Sequence, residues 1–166
     1  VDDGVFSNKH VDTGTEAMLK VIAEHELKGK ALDMGCGYGV IGVVLNDVFP
    51  ELIVDGVDIN PRAVDLAKEN YQKYHVSGDL RQSDGVGKKE VYDIVITNPP
   101  IRVGKKKMYS LFEEAYEALK PKGELWYVIR KQHGAKSAEK FIRELFGQCE
   151  LKQRDKGFYI YRALKD

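Results

Sequence analysis

The segment Lys30 to Gly39, Lys-Ala-Leu-Asp-Met-Gly-Cys-Gly-Tyr-Gly, constrains this chain more than any other. Lys30 to Met34 is a short apolar run that stops at glycine, and Val40 to Val48 resumes as an apolar helix halted by Pro50. Strand, glycine turn and helix in that order open an α/β fold with a parallel sheet. Gly35, Gly37 and Gly39 let the backbone turn tightly and approach a ligand closely, where a Cβ would clash or forbid positive φ.

The same pattern continues downstream. Leu52 to Asp58 reads as a β-branched strand, and Asn60-Pro61 opens a helix through Tyr74 with Asn60 as its cap and Pro61 in its first turn. A short strand is expected near Leu80 to Gln82, then a strand at Val91 to Thr97, a helix at Met108 to Leu119, a strand at Glu124 to Ile129 and a helix at Ala135 to Phe146. Cys149 to Gln153 and Phe158 to Leu164 close the chain as strands joined by the turn Asp155-Lys156-Gly157. Upstream, Val1 to Asp12 is polar and expected to be irregular, and Thr15 to His25 carries apolar groups at helical spacing. The predicted fold is α/β, a doubly wound Rossmann-like sheet, mainly parallel, with an antiparallel C-terminal strand. Residues 85–90 are expected as a surface loop.

The 166 residues fit one domain, 1–29 forming an N-terminal cap and first helix and 30–166 the sheet with its helices. Composition excludes several classes. A 43% apolar and 31% charged chain without an apolar run of about 18 residues reads as cytoplasmic, with no membrane partner. The 26 basic and 26 acidic side chains cancel, so attraction to nucleic acid has to come from local patches. Cys36 and Cys149 lack the spacing of a metal site or disulfide framework, so no metal is expected.

In an open α/β sheet a ligand sits beyond the carboxyl ends of the strands, at the point where strand order reverses. Asp58 closes the second strand about twenty residues past the glycine loop, where a carboxylate accepts from two ribose hydroxyls. Asp84, after the third strand, is placed to meet the amino edge of an adenine, with Ile59 flanking the ring. Asp33 precedes the glycines, where it can hold the loop or receive a cationic amino group through water. The loop lacks the third glycine of the dinucleotide fingerprint, that position being Val40.

Ile94 to Thr97 is a buried strand ending in Asn98-Pro99-Pro100-Ile101 at the same edge of the sheet. Two prolines fix φ and remove donors, so the Pro99 carbonyl can face a ligand. With the Asn98 side-chain carbonyl it can hold both hydrogens of an exocyclic amine and favour positive charge developing on its nitrogen. Arg102, Lys105, Lys106 and Lys107 follow directly, as a solvated loop or as cations for phosphates.

Gly4-Val5-Phe6-Ser7, Val11-Asp12-Thr13-Gly14-Thr15, Asp33 to Gly42, Asp58-Ile59-Asn60 and Asn98 to Gly104 together resemble the ribosomal RNA small-subunit methyltransferases, the guanine-N2 enzymes, and their small archaeal-type single-domain relatives. The resemblance implies S-adenosylmethionine as cofactor, held by Thr15, Asp33, Gly35, Cys36, Gly37, Gly39, Asp58, Ile59, Asp84 and Asn98. It implies Asn98, Pro99, Pro100 and Ile101 as the acceptor motif, a guanine N2 of ribosomal RNA or of a ribosomal subunit as substrate, and Phe6, Gly14 and Thr15 near the cofactor or acceptor. Many amino methyltransferases carry an aromatic after Asn-Pro-Pro; Ile101 departs from that pattern. A protein-glutamine N5 methyltransferase is the competing reading within the class. Outside it stand a noncatalytic RNA-binding module and a nicotinamide-dependent oxidoreductase, the latter opposed by Val40 and by the lack of a histidine with an evident partner among His10, His25, His75 and His133.

Overall fold

The computed structural model describes residues 12–166. Among these residues five α-helices and seven strands follow in the order α1 (Thr13–Ile22), β1 (Lys30–Met34), α2 (Val40–Val48), β2 (Ile53–Asp58), α3 (Pro61–Tyr74), β3 (Leu80–Gln82), β4 (Tyr92–Thr97), α4 (Lys105–Ala118), β5 (Leu119–Arg130), α5 (Ala135–Phe146), β6 (Gly147–Asp155) and β7 (Phe158–Lys165), with a 3-10 turn at Lys131–His133 before α5. The strands form one sheet in the order β3-β2-β1-β4-β5-β7-β6. The first five are parallel, and β7 runs antiparallel to both β5 and β6. The sheet grows outward one way through β2 and β3 and the other way through β4 and β5. The reversal therefore falls between β1 and β4, the crevice where ligands bind in such sheets.

Local chemistry explains the element ends. Asn60 accepts from the Arg62 N–H at 2.9 Å and Pro61 fills the first helical position of α3. Gly39 starts α2 with φ of 93°, a left-handed conformation that favours glycine. Lys156 and Gly157, with φ of 51° and 86°, form a two-residue turn of the hand that suits the β6–β7 twist.

Both faces of the sheet are covered. Met18, Ile22, Val44 and Leu45 from α1 and α2 pack on Val54, Ile96, Trp126 and Ile160, while Phe112, Ala115, Ile142 and Phe146 from α4 and α5 pack on Leu32, Val95, Leu125 and Tyr127. Burial of this kind stabilises by roughly 25 cal/mol per Å² of apolar surface and dominates the fold.

Two expectations need correcting. The lysine run is not a loop: Lys105, Lys106 and Lys107 are the first turn of α4, which begins three residues earlier than the apolar spacing suggests because that spacing starts only at buried Met108. Strand β5 begins at Leu119 because a bulge at residues 120–123 separates its first pairing, with Tyr92, from the pairing of Glu124 with Ile94. Residues 85–90 form a loop as expected, exposed over 87–90, and Val86 anchors it, buried and with its N–H donating to the Glu114 carboxylate at 2.8 Å. Val1 to Val11 lie outside the described residues, Phe6 among them. Among the described residues no helix is long and apolar enough to cross a membrane, and no group of three or more His, Cys, Asp or Glu could hold a metal.

Candidate active site

The parallel register carries the site. Met34 pairs with Val57 on one side and Thr97 on the other, so β1, β2 and β4 end level with one another. The Thr97 hydroxyl ties two of these ends together by donating to the Met34 carbonyl at 3.0 Å. The glycine loop, Asp58 and Asn98 thus leave the sheet at one edge.

In the glycine loop, Gly35 and Gly37 have φ of 81° and 54°, and none of the described residues stands within 4 Å of where a Cβ would project. The space is open for a ligand to meet bare backbone. The Gly35 and Cys36 N–H groups donate to the Val57 carbonyl at 2.9 and 2.8 Å, and the Gly37 N–H donates to Asp58 Oδ2 at 2.8 Å. Asp58 Oδ1 accepts from the Asn60 N–H at 2.9 Å. Each carboxylate oxygen keeps a second lone pair for a ligand hydroxyl. Ile59 is 62% exposed beside it, an apolar face left uncovered by protein. Asp84 is exposed and pairs with Lys107 at 3.2 Å, so the cation assigned to phosphates is drawn to the carboxylate assigned to an adenine.

A small cavity lies against the loop, lined by Asp12, Thr15, Gly35, Cys36, Gly37, Tyr38, Val40, Ile41 and Asn98. Among the described residues its lining includes a carboxylate and no cation, which suits a positively charged ligand and not a pyrophosphate. Cys36 is buried there, and burial with the nearby Asp33 and Asp58 charges pushes its thiol up, away from a reactive thiolate. Asp33 sits behind the loop and not on the cavity wall. It is fully buried, its carboxylate finds no hydrogen-bond partner among the described residues, and burial followed by repulsion from Asp58 pushes its pKa up to about 8.

Asn98 is held from α1. Its Nδ2 donates to Asp12 Oδ2 at 3.0 Å and to Thr15 Oγ1 at 3.2 Å. A carboxylate only accepts, so the nitrogen end of the amide must face Asp12 and the carbonyl end must face away. Asp12 is also the α1 cap, its Oδ1 accepting from the Gly14 N–H at 2.7 Å. One side chain starts the helix and orients the amide.

A larger cavity of about 450 Å3 opens on the other side of Asn98, lined by Asp12, Asn98, Pro99, Pro100, Ile101, Arg102, Ile129, Arg130, His133 and Phe158. The two cavities share Asp12 and Asn98, as a group-transfer site with a donor ligand on one side and an acceptor on the other requires. Sequence reading missed Asp12, Ile129, Arg130 and Phe158 as site residues, and considered His133 only as a histidine without a partner. The last four come from the β5 end, the β7 start and the 3-10 turn after β5, whose approach follows from sheet order and carries no local sequence signal. Lys105 and Lys106 are exposed on the α4 turn that follows this cavity, and Arg102 is exposed on its rim.

The open cradle at Gly35 and Gly37, the cation-free lining and the twin-acceptor Asp58 fit S-adenosylmethionine, whose sulfonium and amino groups are positive and whose ribose offers a diol. The methyltransferase small domain model matches residues 1–162. YbxB of Bacillus subtilis is 42% identical, the match covering 99% of this chain and 84% of that protein. The ribosomal RNA small subunit methyltransferase C of Aliivibrio fischeri is 34% identical over 98% of this chain but 48% of its own length. This chain spans about half the length of the small subunit methyltransferases C that it matches. Among solved structures, the T. thermophilus 16S rRNA N2 methyltransferase RsmC in complex with AdoMet and guanosine superposes with a TM-score of 0.82 at 22% identity, over 97% of this chain and 45% of that one. With the fold, the paired cavities and a family match over nearly its whole length, the chain belongs to the methyltransferase small domain family of S-adenosylmethionine-dependent enzymes.

Proposed function

We propose that this protein methylates the exocyclic N2 of a guanine in ribosomal RNA. The observation that carries the reading is the clamp on Asn98 at the junction of the two cavities, where Asp12 and Thr15 hold the amide nitrogen and the carbonyl faces away from Asp12. S-adenosylmethionine, when bound, supplies an electrophilic methyl group, and transfer forms an N–C bond as the C–S bond breaks and a thioether departs. The Asn98 carbonyl accepts one amine hydrogen and the Pro99 carbonyl the other, which aims the nitrogen lone pair and stabilises the positive charge that grows on it. One of those protons then leaves to water. No nucleophilic side chain takes part.

Asp58 would hold the ribose diol, the glycine loop the amino-acid portion, and Ile59 and Asp84 the adenine. The names of the small subunit methyltransferase relatives favour ribosomal RNA, and the guanosine in the RsmC complex favours guanine. Such a substrate places the enzyme in the cytoplasm. A target inside a duplex has to be flipped out to reach Asn98.

The test is incubation of ribosomal RNA and of ribosomal subunits, from a strain lacking the gene, with the protein and labelled S-adenosylmethionine, followed by nucleoside mass spectrometry. N2-methylguanosine is expected. Label confined to protein glutamine would overturn the RNA reading in favour of the N5 alternative.

A further inference from the structure

The larger cavity carries both hydrogen-bond acceptors and donors in its lining. Asn98 and Asp12 offer oxygens, Arg102, Arg130 and His133 offer N–H groups, and Pro99, Pro100, Ile101, Ile129 and Phe158 supply apolar wall. A ligand matching it is flat and carries an amine together with a hydrogen-bond acceptor.

Of the three basic side chains, Arg102 and His133 are exposed and Arg130 is half-buried and held. Arg130 ends β5 directly opposite Phe158 in the antiparallel pair, and its guanidinium carbon lies over the Phe158 ring, 4.2 Å from the centroid. The Lys131 N–H donates to the Gly157 carbonyl at 3.2 Å and locks the next step of the strand pair. Phe158 in turn packs on α1: a Cβ on Gly14 would lie 2.7 Å from the ring. The helix that clamps Asn98 through Asp12 and Thr15 therefore also seats the ring that seats Arg130. Amine acceptor and cation are fixed to one frame.

We propose that Arg130 is the specificity-determining residue for the base, donating to the O6 carbonyl of guanine while N2 lies at Asn98; this rests on the guanine reading above. Arginine to guanine O6 and N7 is a favoured pairing because the planar fork matches two adjacent acceptors. With the reactive amine at Asn98, guanine turns its C6 carbonyl to the place where adenine, methylated on N6, would turn its C2–H. A fixed cation there rewards guanine and leaves adenine facing an unmatched charge. Ile101 needs no ring under this arrangement, because selection comes from the edge of the base, with its faces covered by the apolar wall.

The experiment deletes one partner at a time. The RNA fragment that accepts the methyl group in the assay above is prepared with its target guanine kept or replaced by 2-aminopurine, which retains the 2-amino group and lacks O6. Wild-type protein is expected to prefer guanine by about 10- to 100-fold in kcat/KM, and Arg130→Ala to bring that ratio close to one. Arg130→Met, which retains much of the side-chain volume and has no hydrogen-bond donor, is expected to collapse the ratio too and covers the case in which the alanine variant fails to fold. Melting temperature and cofactor affinity are measured on each. An equal loss on both substrates with the preference intact would overturn the proposal and mark Arg130 as a phosphate contact or a brace for Phe158. Absence of N2-methylguanosine with wild-type protein would overturn the guanine reading, and this inference with it. Methylation of both substrates without an Arg130-dependent ratio would overturn the inference alone.

Discussion

The substitution Asp12→Asn separates the two tasks of one side chain. Asp12 caps α1 through Oδ1 and orients Asn98 through Oδ2. Asparagine is as good a cap as aspartate, but it has one acceptor and one donor end, so it cannot serve the Gly14 N–H and the Asn98 amide nitrogen together. If it keeps the cap, its own NH2 meets Asn98 and inverts that amide, turning a donor toward the substrate amine. If it keeps Asn98 in place, it gives up the cap, at a cost of about 1 kcal/mol. The productive arrangement is then populated to roughly one part in six. Replacing a charged acceptor by a neutral one weakens the remaining hold on Asn98 by about another 1 kcal/mol. Together these predict a fall of about 30-fold in the single-turnover rate of methyl transfer at saturating cofactor. The melting temperature should stay within about a degree, since the cap is retained in the dominant arrangement. Asp12→Ala, which loses cap and orienter at once, should cost about 1 kcal/mol of stability, or about 2–4 °C for a chain of this size. A rate for Asp12→Asn within twofold of wild type, with an unchanged melting temperature, would refute the claim that the orientation of the Asn98 amide matters.

Asn98→Ala should reduce turnover by about a hundredfold or more while cofactor affinity, measured by calorimetry, changes little; a selective loss of cofactor binding would remove Asn98 from the acceptor role. Gly14→Ala has to displace the Phe158 ring, and should destabilise by roughly 1–3 kcal/mol in a denaturant titration; a neutral result would contradict the packing of α1 on β7. The folded pKa of Asp33, about 8, lies above the ordinary carboxyl value, so between about pH 4 and 8 the folded state holds a proton that the unfolded state has lost. Stability should therefore fall as pH rises across that window and level off above it, and Asp33→Asn, uncharged throughout, should melt higher than wild type at pH 8 with the difference shrinking toward pH 4. Charge reversal at Lys105 and Lys106 should weaken RNA binding and flatten its salt dependence, as read in a filter-binding titration at several salt concentrations; an unchanged slope would clear that turn of α4 of RNA contact.

Much of the framework was legible along the chain because it is written in local terms. The α2, α3 and α5 spans follow from apolar spacing bounded by Gly39, by Asn60-Pro61 and by Gly134 with Gly147, each boundary set by residues within a turn of the helix end. The α/β class follows from strand and helix alternation, and the glycine loop and Asn-Pro-Pro are contiguous motifs whose backbone demands can be read residue by residue. The start of α4 was not legible, since lysines in a first turn oppose the helix dipole and announce no helix. The bulge in β5 was equally hidden, because nothing in residues 120–123 indicates how they register against β4.

Ile101, the position where the acceptor motif lacks an aromatic, marks the boundary between the two kinds of knowledge. Sequence alone determined that a carbonyl-rich amine site follows β4 and that no ring stands in the motif itself. Tertiary structure decided which way the Asn98 amide points, through partners 86 and 83 residues upstream, and which residues complete the cavity, through a strand inserted antiparallel between β5 and β6. The reason is physical: hydrogen-bond direction and cavity walls are properties of surfaces brought together by sheet order. A chain read one residue at a time carries the groups but not their meeting.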